Sequence, residues 1–458
     1  MRTIAFLSLI TVTPCLARAD DTHYQNLLVG EHALGLGGAF TALADDAAAA
    51  FYNPAGLALI ARSSMSGSLS VYGFESRRID DAFQTALGED DFEDASSPTF
   101  PISVGLVRKF GPKRDDGVRD HAVAFSTVIP FQSDVTFRGD LFDALGFQHV
   151  RVAEEDRWLW VGPSYAYRLS PRLALGITGY LASRELEHTF DRSYADAGEL
   201  QAGVRTLEYG LVEASEVELD DVSLMFRIGV LWQPSDSMRL GLMVAAPSIR
   251  LDSSATVTHR SLLADFVVPG AESGTYSEAR DVREGSSPFP FNVRLGAAAL
   301  FGASTVVSAD LSLYAPISYD RLGEAGADVA VDDYFVQRIE RRLTVNGNLG
   351  LETLLGGHFP VRAGLFTNFS SAPAPQAGDV AMPAQVHRFG AALSAGYRDE
   401  GYDIQVGVAG LYGVGNALVP TASGDPFYEV TRVEDSSLYV FLSGAKEAAG
   451  RVVDRWTH

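Results

Sequence analysis

The stretch Arg172-Leu173-Ala174-Leu175-Gly176-Ile177-Thr178-Gly179-Tyr180-Leu181-Ala182-Ser183 reads as one strand with two unlike faces. Successive side chains of a strand point to opposite sides. Leu173, Leu175, Ile177, Gly179 and Leu181 therefore share one side, and Ala174, Gly176, Thr178, Tyr180 and Ala182 share the other. The first side is apolar; the second is small or polar. That is the pattern of a strand with lipid on one face and a lumen on the other.

The same rhythm recurs outward from this stretch. It predicts strands at 63–75, 100–110, 120–133, 156–169, 172–187, 220–233, 238–251, 288–302, 304–316, 340–353, 359–370, 385–398, 402–413 and 435–445, about fourteen in all. An even number is what closure of a single antiparallel chain usually requires. Short turns at 111–119, 170–171, 234–237, 303, 354–358 and 399–401 alternate with long polar loops. Such alternation predicts short periplasmic turns and long extracellular loops, with both chain ends in the periplasm. Phe110, Trp232, Phe301, Phe359, Tyr397 and Tyr402 flank the short turns on the apolar phase, where an interfacial aromatic girdle belongs. A soluble sandwich or propeller would use strands of about five or six residues, shorter than these. The expected fold is all-β: a transmembrane antiparallel barrel with a small N-terminal helical plug in its lumen.

Arg2, an apolar core from Ile4 to Leu16, and small residues at Ala17 and Ala19 make residues 1–19 a secretory signal. Cys15 is the chain's single cysteine and leaves with it, so the mature chain has no thiol for disulfides, metal sites or nucleophiles. Pro14 and Val12 sit where a lipoprotein signal needs other residues. The formal charge is −22 and becomes more negative once Arg2 and Arg18 are removed. A chain so acidic repels phosphate backbones, which argues against nucleic-acid partners. The nine histidines show no H-x-x-x-H pair, no nucleophile elbow is present, and the acidic run 89–94 matches no calcium loop. Neither a metal, a cofactor nor an enzymatic activity is expected.

Residues 30–60 depart from the period of two. Asp45 to Tyr52 is alanine-rich with acids at its start, which suits a short helix. Pro54 must end it at Asn53, and Ala55 and Gly56 leave the backbone bare enough to press against a wall or a ligand. The run Ala44-Asp45-Asp46-Ala47 through Asn53-Pro54-Ala55-Gly56-Leu57 closely resembles the N-terminal hatch of FadL-type outer-membrane transporters of long-chain fatty acids and related hydrophobic compounds. The stretch Gly162–Gly176 resembles a hairpin of the same family. The resemblance implies a fourteen-strand barrel closed by a hatch that carries Asn53, Pro54, Ala55 and Gly56. It divides the chain into a signal (1–19), a hatch (20–62), a barrel (63–445) and a periplasmic tail (446–458). The tail is a departure, because family barrels usually end on an aromatic residue read by the barrel-insertion machinery. Here Tyr439 and Phe441 would serve as an internal signal, or assembly differs in detail.

Alternation turns Arg227, Asn292, Arg294, Asp310, Asn346, Asn348, Glu352, Arg362, Asn368 and Arg388 inward. On the lipid face each arginine would cost roughly 2–4 kcal/mol at mid-membrane. Arg227, Arg294, Arg362 and Arg388 are the candidate substrate-binding residues, able to receive a carboxylate headgroup through charge-assisted hydrogen bonds. The other reading is ion pairing with Asp310 and Glu352, or hydration. The expected function is passive uptake of long-chain fatty acids or similar hydrophobic compounds across the outer membrane, whose lipid surrounds the barrel. The alternative is a structural or secretion-associated barrel that binds protein partners. The mature protein is expected in the outer-membrane fraction without residues 1–19, as intact-mass measurement would show; recovery from the soluble periplasm without detergent would overturn the barrel reading.

Overall fold

The computed structural model describes residues 22–25, 28–60, 63–85, 88–96, 103–114, 116–142, 146–201, 204–265, 275–325, 329, 331, 335–377, 382–399, 402–420 and 428–446. The expected signal at 1–19 lies outside them, as does the expected tail beyond Lys446. Fourteen antiparallel strands close one wall: Ser64–Thr85, Ser103–Lys113, Arg119–Phe142, Gly146–Ser170, Leu173–Gln201, Val204–Ser235, Met238–Ala245, Asn292–Phe301, Thr305–Tyr314, Thr344–Leu355, Phe359–Asn368, Gln385–Asp399, Tyr402–Pro420 and Tyr428–Lys446. Each is paired to the next. The first strand also pairs with the last, from Met65 opposite Lys446 to Ile79 opposite Val433.

The two faces follow the alternation. Leu349, Leu365, Leu393 and Val406 are exposed on the outside, while Arg362, Glu352, Asp310, Asn292 and Arg294 are buried on the inside. Asn346 and Asn368 are buried on the same inner phase, and Asn348 is half-buried there. All six girdle rings, Phe110, Trp232, Phe301, Phe359, Tyr397 and Tyr402, are exposed outward. Near the chain's end, Phe441 is buried against Ala392 and Ala409, and Tyr439 donates to Glu75 Oε1 at 2.6 Å. Both of those rings face inward.

The outer ends differ from the sequence reading. Val204–Ser235 is 32 residues long and Leu173–Gln201 is 29, whereas a membrane crossing needs about 9–11. Much of the expected loops 134–155 and 188–219 is therefore strand. Above the membrane polar residues occupy both phases, so hydropathy loses the period although the ladder continues. His188, for example, stands between Glu154 and Val217 in register. The expected strand 238–251 is instead broken at Ala246–Ser248, after which Ile249–Asp265 pairs with the upper part of Val204–Ser235. Leu186, Val217, Leu219 and Val257 form a small core there with Leu322 and Phe335 of the segment that follows Thr305–Tyr314.

Helical structure lies upstream of the wall. It comprises Glu31–Gly35, Ala49–Tyr52 and a 3-10 turn, Pro54–Ala58. Among the described residues no helix is long and apolar enough to cross a membrane. The helix expected over 45–52 is shortened to four residues. Ala44 has φ +39, and Asp46 spends its side chain on the Ala48 amide at 2.7 Å, which favours a turn over a continuous helix. Changing Leu365 on the lipid face to Arg should destabilise the folded barrel by roughly 2–4 kcal/mol, read as a shift in the urea midpoint in lipid vesicles.

Candidate functional site

Residues 22–25 and 28–60 run inside the wall and are almost entirely buried. They fit because the facing positions lack side chains. A Cβ at Gly176 would lie 2.3 Å from the Pro54 carbonyl carbon, at Gly229 2.1 Å from Asn53 Oδ1, and at Gly364 2.2 Å from the Gly37 nitrogen. Glycine inside a strand marks such a close approach of another backbone.

Asn53 holds the junction. It is fully buried, extended in backbone, and it caps the Pro54–Ala58 turn. Its Oδ1 accepts from the Ala55 amide at 3.2 Å, while Nδ2 donates to the carbonyls of Thr41 at 2.9 Å and Val230 at 3.0 Å. One amide thus ties two parts of the inner segment to the wall. Pro54 opens the turn, where a missing N–H costs nothing. Gly56 is pressed so close to Ala44 that an added Cβ would lie 2.0 Å from the Ala44 oxygen.

Further wall residues complete the seat, among them Asp310, which the sequence reading offered only as an ion-pair partner of the arginines. Asp310 Oδ2 accepts the amides of Phe40 and Thr41 at 3.0 and 2.8 Å. Thr178 donates to Ala50 O at 2.9 Å and Ser308 to Ala39 O at 2.8 Å. Lys109 Nζ donates to the Ala58 and Leu57 carbonyls at 2.5 and 3.3 Å.

The four candidate arginines all face inward but are not gathered at one cavity. Arg227 donates to the Phe51 carbonyl and lies 4.2 Å over the Phe51 ring. Arg294 bonds Gln25 Oε1 at 2.8 Å and Ser312 at 2.9 Å. Arg362 is paired with Glu352 at 2.5 Å and Asp403 at 3.4 Å. Arg388 pairs with Asp435 and reaches His23 Nδ1 at 3.4 Å. Arg227, Arg294 and Arg388 reach the inner segment directly, and Arg362 and Arg388 sit in ion pairs.

A polar cluster joins helix Glu31–Gly35 to the wall. His32 Nδ1 is 3.0 Å from Asp45 Oδ1, and Nε2 is 2.9 Å from Asp403 Oδ2. Arg398 and Arg362 share that same Asp403 oxygen. Glu31, His32 and Asp403 bring ligand-type atoms within 4.8 Å of one another, but two guanidiniums already occupy the Asp403 oxygen, so the group is built as an ion-pair network. Among the described residues neither Glu31 carboxylate oxygen has a hydrogen-bond partner. Burial, with the nearby Asp403 and Asp46 carboxylates assisting, pushes the Glu31 carboxyl up to about 8.

Beyond the inner segment lies an aromatic cavity that the sequence reading missed. It is lined by Tyr24, Phe131, Trp158, Trp160 and Phe289, with Arg184 and Arg341 among its other residues. Tyr24 stacks on Tyr314 at 4.3 Å, and Trp160 meets Phe289 edge-on at 5.3 Å. Pro288 and Pro290 cannot extend the ladder, and Phe289 between them is buried in the lumen. Arg184 is held by Asp156 at 2.9 and 2.6 Å. The wall register shifts between Val128 and Phe131 beside the cavity, where Pro130 lacks a donor. The available signal was Trp158, Trp160 and Tyr180 clustering on neighbouring strands, with Trp160 and Tyr180 on the inner phase.

A closed barrel with an apolar outer band and a segment seated in its lumen defines an outer-membrane transport protein. The chain belongs to the outer membrane protein transport protein family (OMPP1/FadL/TodX), whose defining pattern matches residues 28–280. It is thus an outer-membrane protein, in a family of transport channels rather than enzymes. No curated protein matches it by sequence. Among solved structures, a Pseudomonas aeruginosa FadL homologue is 14% identical with a TM-score of 0.60, covering 93% of this chain and 99% of that one. The P. putida toluene transporter TodX is 13% identical with a TM-score of 0.57, covering 92% and 99%. The CymD monoaromatic hydrocarbon channel is 13% identical with a TM-score of 0.53, covering 92% and 98%. At such identities the likeness is one of fold.

The raised Glu31 carboxyl gives a signed pH dependence. Seated, Glu31 keeps its proton up to about 8; released into water, it ionises near 4.5. Its contribution to seating is therefore fully present below about 4.5 and is lost as pH rises through about 8. Hydrogen-exchange protection of residues 28–60, corrected for intrinsic rate, should fall between pH 5 and 8 in the wild type. In Glu31→Gln this component of the fall should vanish.

Proposed function

We propose that this barrel is a passive uptake channel for hydrophobic compounds, with residues 20–62 as its hatch, and that compact aromatic solutes suit it better than long-chain fatty acids. The observation that carries the reading is the ring-lined cavity over the inner segment. Offset and edge-on aromatic contacts reward a planar solute beyond the area it buries. The cavity is narrow, with about 30 Å³ free, so a short solute needs less parting of the rings than a long chain. A fatty-acid headgroup would want an unengaged cation, yet Arg184, Arg362 and Arg388 are ion-paired, and Arg227 and Arg294 already donate to the inner segment. A solute leaving the cavity sideways would meet the register shift at Val128–Phe131, where wall pairing is already interrupted.

Trp158 and Trp160 report on the cavity, Trp232 faces outward, and Trp456, which lies outside the described residues, is replaced by Phe for the measurement. Toluene added to the purified barrel should quench their fluorescence. Trp158→Ala combined with Phe289→Ala should weaken that response by about 3–10-fold per ring lost. Labelled toluene should enter expressing cells faster than labelled oleate, and the double variant should slow it. Uptake of oleate alone would reverse the solute preference; uptake of neither would favour a structural barrel.

A further inference from the structure

On the outside of the wall, at its periplasmic end, a groove of about 470 Å³ is lined by Ser63, Ser64, Met65, Leu106, Phe125, Arg108 and Lys446 among others. The site follows from register. Met65 is opposite Lys446 on one side and Leu106 on the other, Leu106 is opposite Phe125, and Arg108 is opposite Val123. Met65, Leu106, Val123 and Phe125 are exposed outward, and the small Ser63 and Ser64 leave the space between them. Ser63 is fixed there by accepting the Lys109 amide at 3.1 Å.

Arg108 and Lys446 set this groove apart. Arg108 occupies the outer phase between Leu106 and Phe110, and both cations are exposed. Among the described residues neither has a hydrogen bond or ion pair, and none of those lining the groove is a carboxylate. An arginine cannot shed its charge, and on a lipid face it is costly unless it reaches an anion or water. Phe110, in the girdle, is two residues away, about 7 Å along the strand. The guanidinium can therefore bend to phosphate depth while its stem stays on the apolar wall.

We propose that this groove binds one anionic phospholipid of the periplasmic leaflet. Its acyl chain lies along Met65, Leu106, Val123 and Phe125, and its phosphate lies between Arg108 and Lys446. Charge complementarity selects the occupant. Two cations line one groove on the outside of a chain whose net charge is −22, and among the described lining residues no carboxylate would pair with the amine of a zwitterionic headgroup. The short turns and the Met65–Lys446 closure place the groove at the periplasmic rim, which selects the leaflet.

The test is native mass spectrometry of the full-length barrel in detergent, titrated with palmitoyl-oleoyl phosphatidylglycerol or palmitoyl-oleoyl phosphatidylethanolamine. The wild type should retain one phosphatidylglycerol about tenfold more tightly than phosphatidylethanolamine. Arg108→Gln and Lys446→Gln should each weaken retention, and together they should abolish the preference. Arg172→Gln, a change at another periplasmic turn, should leave it intact. Heat-dependent gel mobility confirms that each variant is folded. Equal retention of the two lipids by the wild type, unchanged retention in the double variant, or an equal loss in Arg172→Gln would each overturn the proposal.

Discussion

Inside a bilayer no water is available to a backbone amide, so each one must find its partner within the chain. The pairing of Ser64–Thr85 with Tyr428–Lys446 meets that demand for the wall by leaving no edge. Once the ring closes, side chains are sorted by phase alone: outward ones meet lipid and inward ones meet whatever fills the lumen. The inward phase is then free to carry charge, which the outer phase tolerates poorly, and glycine wherever another backbone must come close. Gly176, Gly229 and Gly364 are inward, and the inner segment lies against them backbone to backbone.

That segment is held differently from a protein core. Its apolar residues cluster, as Phe40, Phe51 and Tyr52 do with Trp160 and Tyr180. Its attachment to the wall is nevertheless largely polar: Asn53 on Val230, Asp310 on two amides, Lys109 on two carbonyls, and the His32–Asp403–Arg398 network. Each bond of this kind contributes little net stability, about 0.5–1.5 kcal/mol, but leaving a buried partner unmet costs about as much or more. A seat built this way is specific in register, because each polar group has its own partner.

The amino-acid sequence carried much of this. Strand phase was legible because lipid imposes an apolar face on every crossing, and the girdle rings were legible because the interface selects them. The Asn53-Pro54-Ala55-Gly56 turn was visible as a motif, and the inward placement of Arg227, Arg294, Arg362 and Arg388 followed from phase. Their partners did not, because phase gives a direction and not a depth or a neighbour. Asp403 lies hundreds of residues from His32, and Asp435 lies 47 from Arg388. The upper halves of Leu173–Gln201 and Val204–Ser235 were hidden for a related reason. Away from lipid nothing forces one face to be apolar, and only backbone pairing marks a strand.

Those upper halves give the barrel an oblique rim. At about 3.3 Å per residue, Val204–Ser235 is roughly 100 Å long, while Phe359–Asn368 on another part of the ring, at 10 residues, is roughly a third of that. One flank therefore stands tall above the bilayer and the other barely clears it. An opening cut at such a slant faces along the membrane plane rather than away from it.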